Sequence, residues 1–209
     1  MKAYNYIADL FRYPTAEIKG QVHRMAEYLE QEDALLHVKF QPFHDFFTSN
    51  SINSLEEHYI RTFDVRAICH LDIGYIVFGD DSKRGRFLYH MKEEQISAGN
   101  DCGSDLADFL PNILTLLWKT NNQDLAEELT VSILLPALSV ILQKLKSGNN
   151  IYEIPVIILI SLLEQDFQNS DYEAVKIGTK EKPGFLNHYV TGIDKSLFEK
   201  KPFKLRRDV

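Results

Sequence analysis

The distribution of glycine is the feature of this sequence that most limits what it can fold into. Glycine is absent between Gly20 and Gly74, and again between Gly103 and Gly148. A glycine inside a helix weakens it by about 1 kcal/mol relative to alanine, so long glycine-free stretches are where continuous helices are expected. Alternation of apolar and polar residues with a period of two, which would indicate strands, is scarce throughout. The sequence therefore predicts an all-α fold.

Apolar residues recur at helical spacing in both intervals. The first interval contains the stripe Leu55, Tyr59, Ile60 and Phe63. Ser54 and Glu57 have the spacing of a capping box, which predicts that this helix begins near Ser54. The second interval contains two patterns, Leu106, Leu110, Leu114 and Leu117, then Leu125, Leu129, Ile133, Leu138, Ile141 and Leu145. Pro136 lies inside the longer pattern and is expected to kink that helix, because proline lacks the N–H that a helix interior needs.

The charge of the chain differs between its two parts. The net charge is −7, which disfavours nucleic acid as a partner. Residues 1–168 carry fourteen Lys or Arg against twenty-four Asp or Glu, whereas residues 169–209 carry nine against six. The sequence thus predicts one helical-bundle domain over 1–168 and a basic C-terminal tail over 169–209, either disordered or docked on the acidic body. The tail aromatics Phe185, Tyr189, Phe198 and Phe203 favour docking.

The sequence predicts a cytoplasmic protein that does not insert into a membrane. Its first residues lack the uninterrupted apolar stretch of a secretory signal. The longest apolar runs, 131–142 and 154–163, are shorter than the roughly 20 residues that span a bilayer, and we expect them to be buried helices. Two cysteines, Cys69 and Cys102, are too few for a disulfide framework and favour a reducing compartment.

Motifs for catalysis or cofactor binding are weak in this chain. None of the histidines follows a glutamate by three residues, as in di-iron bundles, and Cys-x-x-Cys and His-Glu-x-x-His are absent from the sequence. The nearest approach to a ligand set is Cys69, His70 and Asp72, which are too close in sequence to surround one metal easily. The segment 79–85 lacks the ending of a phosphate loop and is predicted to be a turn, with Asp81 or Ser82 capping the next helix. No cofactor is expected, and a helical metal-dependent enzyme is kept as an alternative.

Several charged residues interrupt the apolar helix patterns. Asp64 ends the first stripe, Arg84 opens the helix after the 79–85 turn, and Asp105 and Asp108 are predicted to lie in the first turn of the 106–117 helix. Acidic residues in a first turn complement the helix dipole, which would explain them locally. The other explanation is an acidic, partly apolar groove that receives a basic amphipathic peptide.

The same residues belong to an ordered set of motifs, which are Leu10-Phe11-Arg12-Tyr13-Pro14, Tyr59-Ile60-Arg61-Thr62-Phe63-Asp64, Leu71 with Tyr75 and Gly79-Asp80, Lys83-Arg84-Gly85-Arg86-Phe87-Leu88, Gly99, and Asp105-Leu106-Ala107-Asp108-Phe109-Leu110-Pro111. In order and spacing this set resembles the nitrate-reductase assembly chaperones, the delta-subunit (NarJ) branch of the TorD-like molybdoenzyme chaperones. The resemblance covers residues 7–165. That family usually has Leu-Pro-Asp-His-Leu-Pro where this chain has the residues 106–111, so a proline and a histidine are replaced.

The resemblance implies an all-helical cytoplasmic chaperone that is not an enzyme, holds no cofactor of its own and exists as a monomer or homodimer. Its partner would be the catalytic (alpha) subunit of a molybdopterin oxidoreductase, bound through its N-terminal segment until the molybdenum cofactor is inserted. The residues expected to line or buttress the peptide groove are Tyr59, Asp64, Arg84, Asp105 and Asp108. Of these, Asp64 and Asp108 are expected to meet positive charge on the client, and Arg84 to brace the groove internally. A helical scaffold or regulatory module, whose basic tail binds an acidic partner, is the remaining alternative.

Overall fold

A computed structural model describes residues 2–177 of the chain, and this part is all-α, as the sequence predicts. Its helices are α1 (Lys2–Leu10), α2 (Ile18–Glu32), α3 (Ala34–Ser49), α4 (Ile52–Phe63), α5 (Ile73–Phe78), α6 (Ser82–Ser97), α7 (Leu110–Lys119), α8 (Gln123–Glu128), α9 (Leu135–Ser147) and α10 (Glu153–Asp166). Within residues 2–177 there is no strand, and an isolated antiparallel bridge joins Asp72 to Phe109. The described body is therefore a single helical bundle.

Side-chain caps begin several of these helices. The Asp33 carboxylate accepts the backbone N–H groups of Leu35 and Leu36 at 2.9 and 3.0 Å at the start of α3. Asp81 caps α6 by accepting the Lys83 N–H, which confirms the predicted cap. The predicted start of α4 at Ser54 is wrong, because the Ser51 hydroxyl accepts the Ser54 N–H at 3.3 Å and the helix begins at Ile52. Each cap satisfies an N–H that the first helical turn leaves free.

The core lies between α1 and α10 and the helices α2, α3 and α7 that pack against them. Helix α1 packs against α2, α7 and α10, and α3 packs against α2 and α10. The wholly buried ring of Tyr152 lies among aromatic neighbours, with ring centroids at 4.7 Å from Phe63 and 5.7 Å from Phe43. The Tyr4 hydroxyl donates to Asp166 at 2.5 Å, which fastens the first helix to the last.

Helix α7 begins later than the sequence pattern predicts. Leu106 precedes the helix, which starts at Leu110 with Pro111 in its first turn, a position where the missing proline N–H costs nothing. The residues at and just before this start pair with the segment that leads into α5. The Leu110 N–H donates to the Leu71 carbonyl at 2.8 Å, and the Ile73 N–H donates to the Asp108 carbonyl at 3.0 Å. Asp105 and Asp108 therefore lie in this connecting segment, and the prediction that they occupy a first helical turn is wrong.

The long apolar pattern forms one continuous helix that widens just before its proline. Residues Leu129–Leu134 form a π turn between α8 and α9, and the Leu135 N–H donates to the Thr130 carbonyl five residues back. Pro136 has no N–H to offer the Ser132 carbonyl, which instead accepts the Val175 N–H at 3.0 Å. The structure thus has a π turn before Pro136, whose Ser132 carbonyl binds the C-terminal stretch, and the kink itself stays a prediction.

Two further expectations concern this helix and the tail. Within residues 2–177, Gln123–Ser147 is long and apolar enough to cross a bilayer by length and composition, but 56% of its most apolar window is buried inside the protein. The apolar runs 131–142 and 154–163 lie in core helices, as expected. Residues 169–177 are described, whereas the tail aromatics Phe185, Tyr189, Phe198 and Phe203 lie outside the described residues.

Candidate functional site

The motif segments that are separated along the sequence contact one another in the fold. The Tyr59 hydroxyl on α4 donates to the Phe11 carbonyl after α1 at 3.1 Å. Next to Phe11, the Arg12 guanidinium lies 3.9 Å from the Asp105 carboxylate. On the other side of the same connecting segment, Arg84 of α6 lies 3.7 Å from Asp108. The four segments around residues 11, 59, 84 and 105–108 therefore build one region of the surface and the support beneath it.

Asp108 is the centre of that support. Its side chain is 0% exposed, and one carboxylate oxygen, Oδ2, accepts the Gly74 N–H at 3.1 Å and faces Arg84 Nε. The guanidinium of Arg84 also lies over the Tyr75 ring, 5.2 Å from its centroid. Asp108 Oδ1 has no hydrogen-bond partner among the described residues. Arg84 and Asp108 thus tie α6, the start of α5 and the connecting segment together.

Burial makes the Asp108 carboxyl a weaker acid than an exposed aspartic acid. Its pKa rises to about 6, chiefly because desolvation penalises the carboxylate and secondly because the negative charge of Asp72 lies nearby. Arg84 and the Gly74 N–H lower the pKa of Asp108, but by less than burial raises it. The ion pair therefore offsets only part of the cost of burying this charge.

Three acidic side chains are close enough to Tyr59 to raise the pKa of its hydroxyl. Burial is the largest cause of the raised pKa of the Tyr59 hydroxyl, and the charges of Asp105, Asp64 and Asp72 raise this pKa further, whereas Arg12 lowers it. Asp64 and Asp105 are exposed and Asp72 is half-buried. We call Asp64, Asp72 and Asp105 the acidic face.

An open groove adjoins the acidic face along α4. Its volume is about 690 Å³, and we call it the α4 groove. Tyr13, Ile60 and Val65 supply its apolar surface, and the exposed ring of Tyr13 stands edge-on to Tyr59 with centroids 5.5 Å apart. The rest of its lining is polar: Asn53, Glu56, Glu57, Arg61 and Arg66, with Glu57 and Arg61 paired to each other. An apolar surface with acidic residues beside it suits a basic amphipathic helix.

The five site residues expected from the sequence fall into two groups. Asp64, at the C-terminal end of α4, and Asp105 are exposed, and none of the five residues is part of the lining of the α4 groove. Tyr59 and Asp108 are buried, and Arg84 is paired to Asp108 beneath the surface. The expectation that Asp108 meets positive charge on a client is wrong, because its carboxylate is enclosed and already faces Arg84. Arg84 lies 3.7 Å from Asp108, and its expected role in bracing a peptide groove stays a prediction.

Sequence reasoning did not single out three residues of this region. Tyr13 lines the groove, Arg12 faces Asp105, and Gly74 allows the close approach of Asp108. Tyr13 and Arg12 belong to the first motif, so the signal for them was present in the pattern 10–14. Gly74 carried no such signal, because its need for a bare backbone depends on a contact with residue 108.

The alternative metal cluster does not assemble. Cys69 is buried, and desolvation raises the pKa of its thiol to about 11, which disfavours the thiolate that a metal requires. His70 is exposed and its ring stands against Tyr75 at 5.3 Å. Within residues 2–177, no three His, Cys, Asp or Glu side chains are grouped so that they could hold a metal ion.

No protein-family model matches the chain. No curated protein matches it at a significant level. What the protein does is therefore inferred from the α4 groove, the acidic face and the motif segments that build them.

Proposed function

We propose that this protein is an assembly chaperone for a nitrate-reductase-like molybdoenzyme. It binds the basic N-terminal segment of the apo catalytic subunit in the α4 groove and holds it until the molybdenum cofactor is inserted. The protein itself catalyses no reaction and works in the cytoplasm. The ordered motifs that resemble the NarJ branch support this choice of client, and the geometry of the groove supports this mode of binding.

The observation that carries the proposal is the convergence of the motif segments. Phe11 contacts Tyr59, Arg12 contacts Asp105, and Arg84 contacts Asp108, so residues up to about a hundred positions apart build one feature. A set of motifs whose shared task is to bind a peptide is expected to converge in this way. Buried pairs fix the backbone, and the exposed members are left to contact the partner.

The chemistry of the groove selects for a basic amphipathic helix. Tyr13, Ile60 and Val65 offer an apolar surface for one face of that helix, with Asp64 close by to meet lysine or arginine on its flank. Exposed charges of this kind accelerate and orient binding and are screened by salt, so the affinity is expected to fall as ionic strength rises.

Titration with a synthetic peptide tests this proposal. The peptide comprises the first few dozen residues of the catalytic subunit encoded beside this chain, and calorimetry at low salt measures its affinity. We expect saturable binding that weakens with added salt. Reversing two charges with Asp64→Lys and Asp105→Lys should weaken binding about tenfold at low salt.

The matched control reverses two exposed charges away from the groove, Glu27→Lys and Glu30→Lys on α2. This variant has the same net charge as the groove variant, so a general electrostatic effect would weaken both equally. Absence of binding at low salt, or equal losses in the two variants, would contradict the proposed role of the groove.

A further inference from the structure

We propose that the basic segment 195–207 of this same chain binds the acidic face and the α4 groove. The tail then competes with the client segment for the site. The competition rests on the proposed function, whereas the binding of 195–207 to the body does not. The occupant is identified by its own composition and by the course of the chain up to residue 177.

The composition of this segment complements the site. Residues 195–207 contain six Lys or Arg and a single acidic residue, Glu199. Its apolar residues, interleaved with these charges, are Leu197, Phe198, Phe203 and Leu205. Residues 1–168 carry ten more acidic than basic residues. The charges that line the α4 groove balance, with two glutamates against two arginines, so the basic charge of the segment complements the acidic face and its large apolar side chains complement the apolar surface of the groove.

The chain turns back toward the body before the described part ends. The Val175 N–H donates to the Ser132 carbonyl in the π turn at 3.0 Å, and the Val175 side chain packs against the core. The π turn in turn packs against α5, whose Tyr75 contacts Arg84. The tail thus starts from an anchored point on the same body that bears the acidic face.

The intervening length is sufficient for the segment to reach the site. Seventeen residues lie between 177 and 195, which makes eighteen steps along the backbone. At about 3.3 Å per residue they span at most about 60 Å. A body of this size has a radius of gyration of only about 16 Å. A tether of this kind raises the effective concentration of the tail at the site to about the millimolar range, so even weak contacts would compete with a free peptide.

Paramagnetic relaxation in the full chain tests where the segment lies. Cys102→Ser removes the partly exposed thiol, Cys69 is buried, and Ser196→Cys then receives a nitroxide label. At low salt we expect backbone amide signals of residues 59–66 and 103–107 to broaden, and to sharpen when salt is added. The same label in a chain that also carries Lys200→Glu, Lys201→Glu, Arg206→Glu and Arg207→Glu should leave those signals sharp.

Matched variants of the body complete the test. Asp64→Lys with Asp105→Lys should abolish the broadening, whereas Glu27→Lys with Glu30→Lys should leave it in place. Signals of the acidic face that stay sharp in the parent chain at low salt, or broadening that survives the four tail reversals, would overturn the proposal.

The client titration separates this inference from the proposed function. If the tail competes, the four-charge tail variant binds the client peptide several-fold more tightly than the parent chain. Equal affinities would overturn the competition and leave the chaperone role intact. Broadening at the acidic face without any client binding would overturn the chaperone role and leave the binding of 195–207 established.

Discussion

At the scale of single residues, Asp108 couples the support of the site to pH. Its pKa is raised from 3.8 to about 6 in the folded protein, so between about pH 4 and pH 6 the folded state holds a proton that the unfolded chain has released. The free energy of unfolding therefore falls as the pH rises through this window, by about 3 kcal/mol, and this contribution stays constant above it. Burying the carboxylate thus costs stability at neutral pH.

Asp108→Asn should remove this slope. The asparagine side chain keeps a carbonyl that can accept the Gly74 N–H, but it does not titrate. Urea unfolding of the parent and the variant at half-unit steps from pH 4 to pH 7.5 measures the difference. Parallel pH profiles for the two proteins would show that Asp108 has an ordinary pKa.

Gly74 is a position beneath the site where an added side chain would clash with buried atoms. A Cβ at residue 74 would lie 2.6 Å from Asp108 Oδ2 and 2.8 Å from Phe87 Cδ1. We expect Gly74→Ala to lower the free energy of unfolding by about 1–3 kcal/mol, because a wholly buried carboxylate and ring must shift. Gly85→Ala is the control, since an added Cβ there would meet no atom within 4 Å apart from its chain neighbours and the backbone of its own helix, and alanine favours the α6 helix. A lower melting temperature for Gly85→Ala than for Gly74→Ala would contradict this account.

At the scale of elements, the sequence predicted which stretches are helical better than it predicted their ends. Apolar spacing is set by the buried face of a helix and is visible in one dimension. The start of α7 is not visible in this way. Leu106 has helical spacing, but its segment pairs with Leu71 and Ile73 instead of continuing the helix. The π turn left no such signal, because Ile133, Leu134, Ala137 and Leu138 are all apolar and keep the spacing of a regular helix.

Ser51 is expected to contribute more to the stability of α4 than Ser54, the residue suggested by the capping-box spacing. Ser51→Ala removes the hydroxyl that accepts the Ser54 N–H, and should lower the free energy of unfolding by about 1 kcal/mol. Ser54→Ala leaves that bond in place and adds a better helix former, so it should be close to neutral. Denaturant titration of the two variants measures this order, and the reverse order would place the cap at Ser54.

At the scale of the whole molecule, the candidate site could be predicted only in part. The motif residues were visible in the sequence, but their division into exposed and enclosed members was not. Asp105 and Asp108 are three positions apart, yet one is exposed and the other is wholly buried against Arg84. That difference arises because the segment pairs with the chain before α5, a contact between distant parts of the sequence.

The boundary between body and tail is also a property of the whole molecule. Val175 lies outside any helix, yet its amide is bound to the Ser132 carbonyl that Pro136 leaves free. We expect this amide to exchange with solvent more slowly than those of the exposed residues 171–174. Pro136→Ala supplies an N–H that competes for the same carbonyl, so exchange at Val175 should become faster. Hydrogen exchange read by NMR measures both rates, and an unchanged rate in the variant would contradict the role of the freed carbonyl.

The bond between Tyr4 and Asp166 has a consequence for biosynthesis. Helix α1 leaves the ribosome before one of its neighbours, α10, which starts 151 residues later in the chain. Until then the apolar face of α1 lacks part of its cover, and the nascent chain exposes a surface prone to aggregation. This protein must therefore pass through a stage of translation in which the apolar face of α1 needs protection.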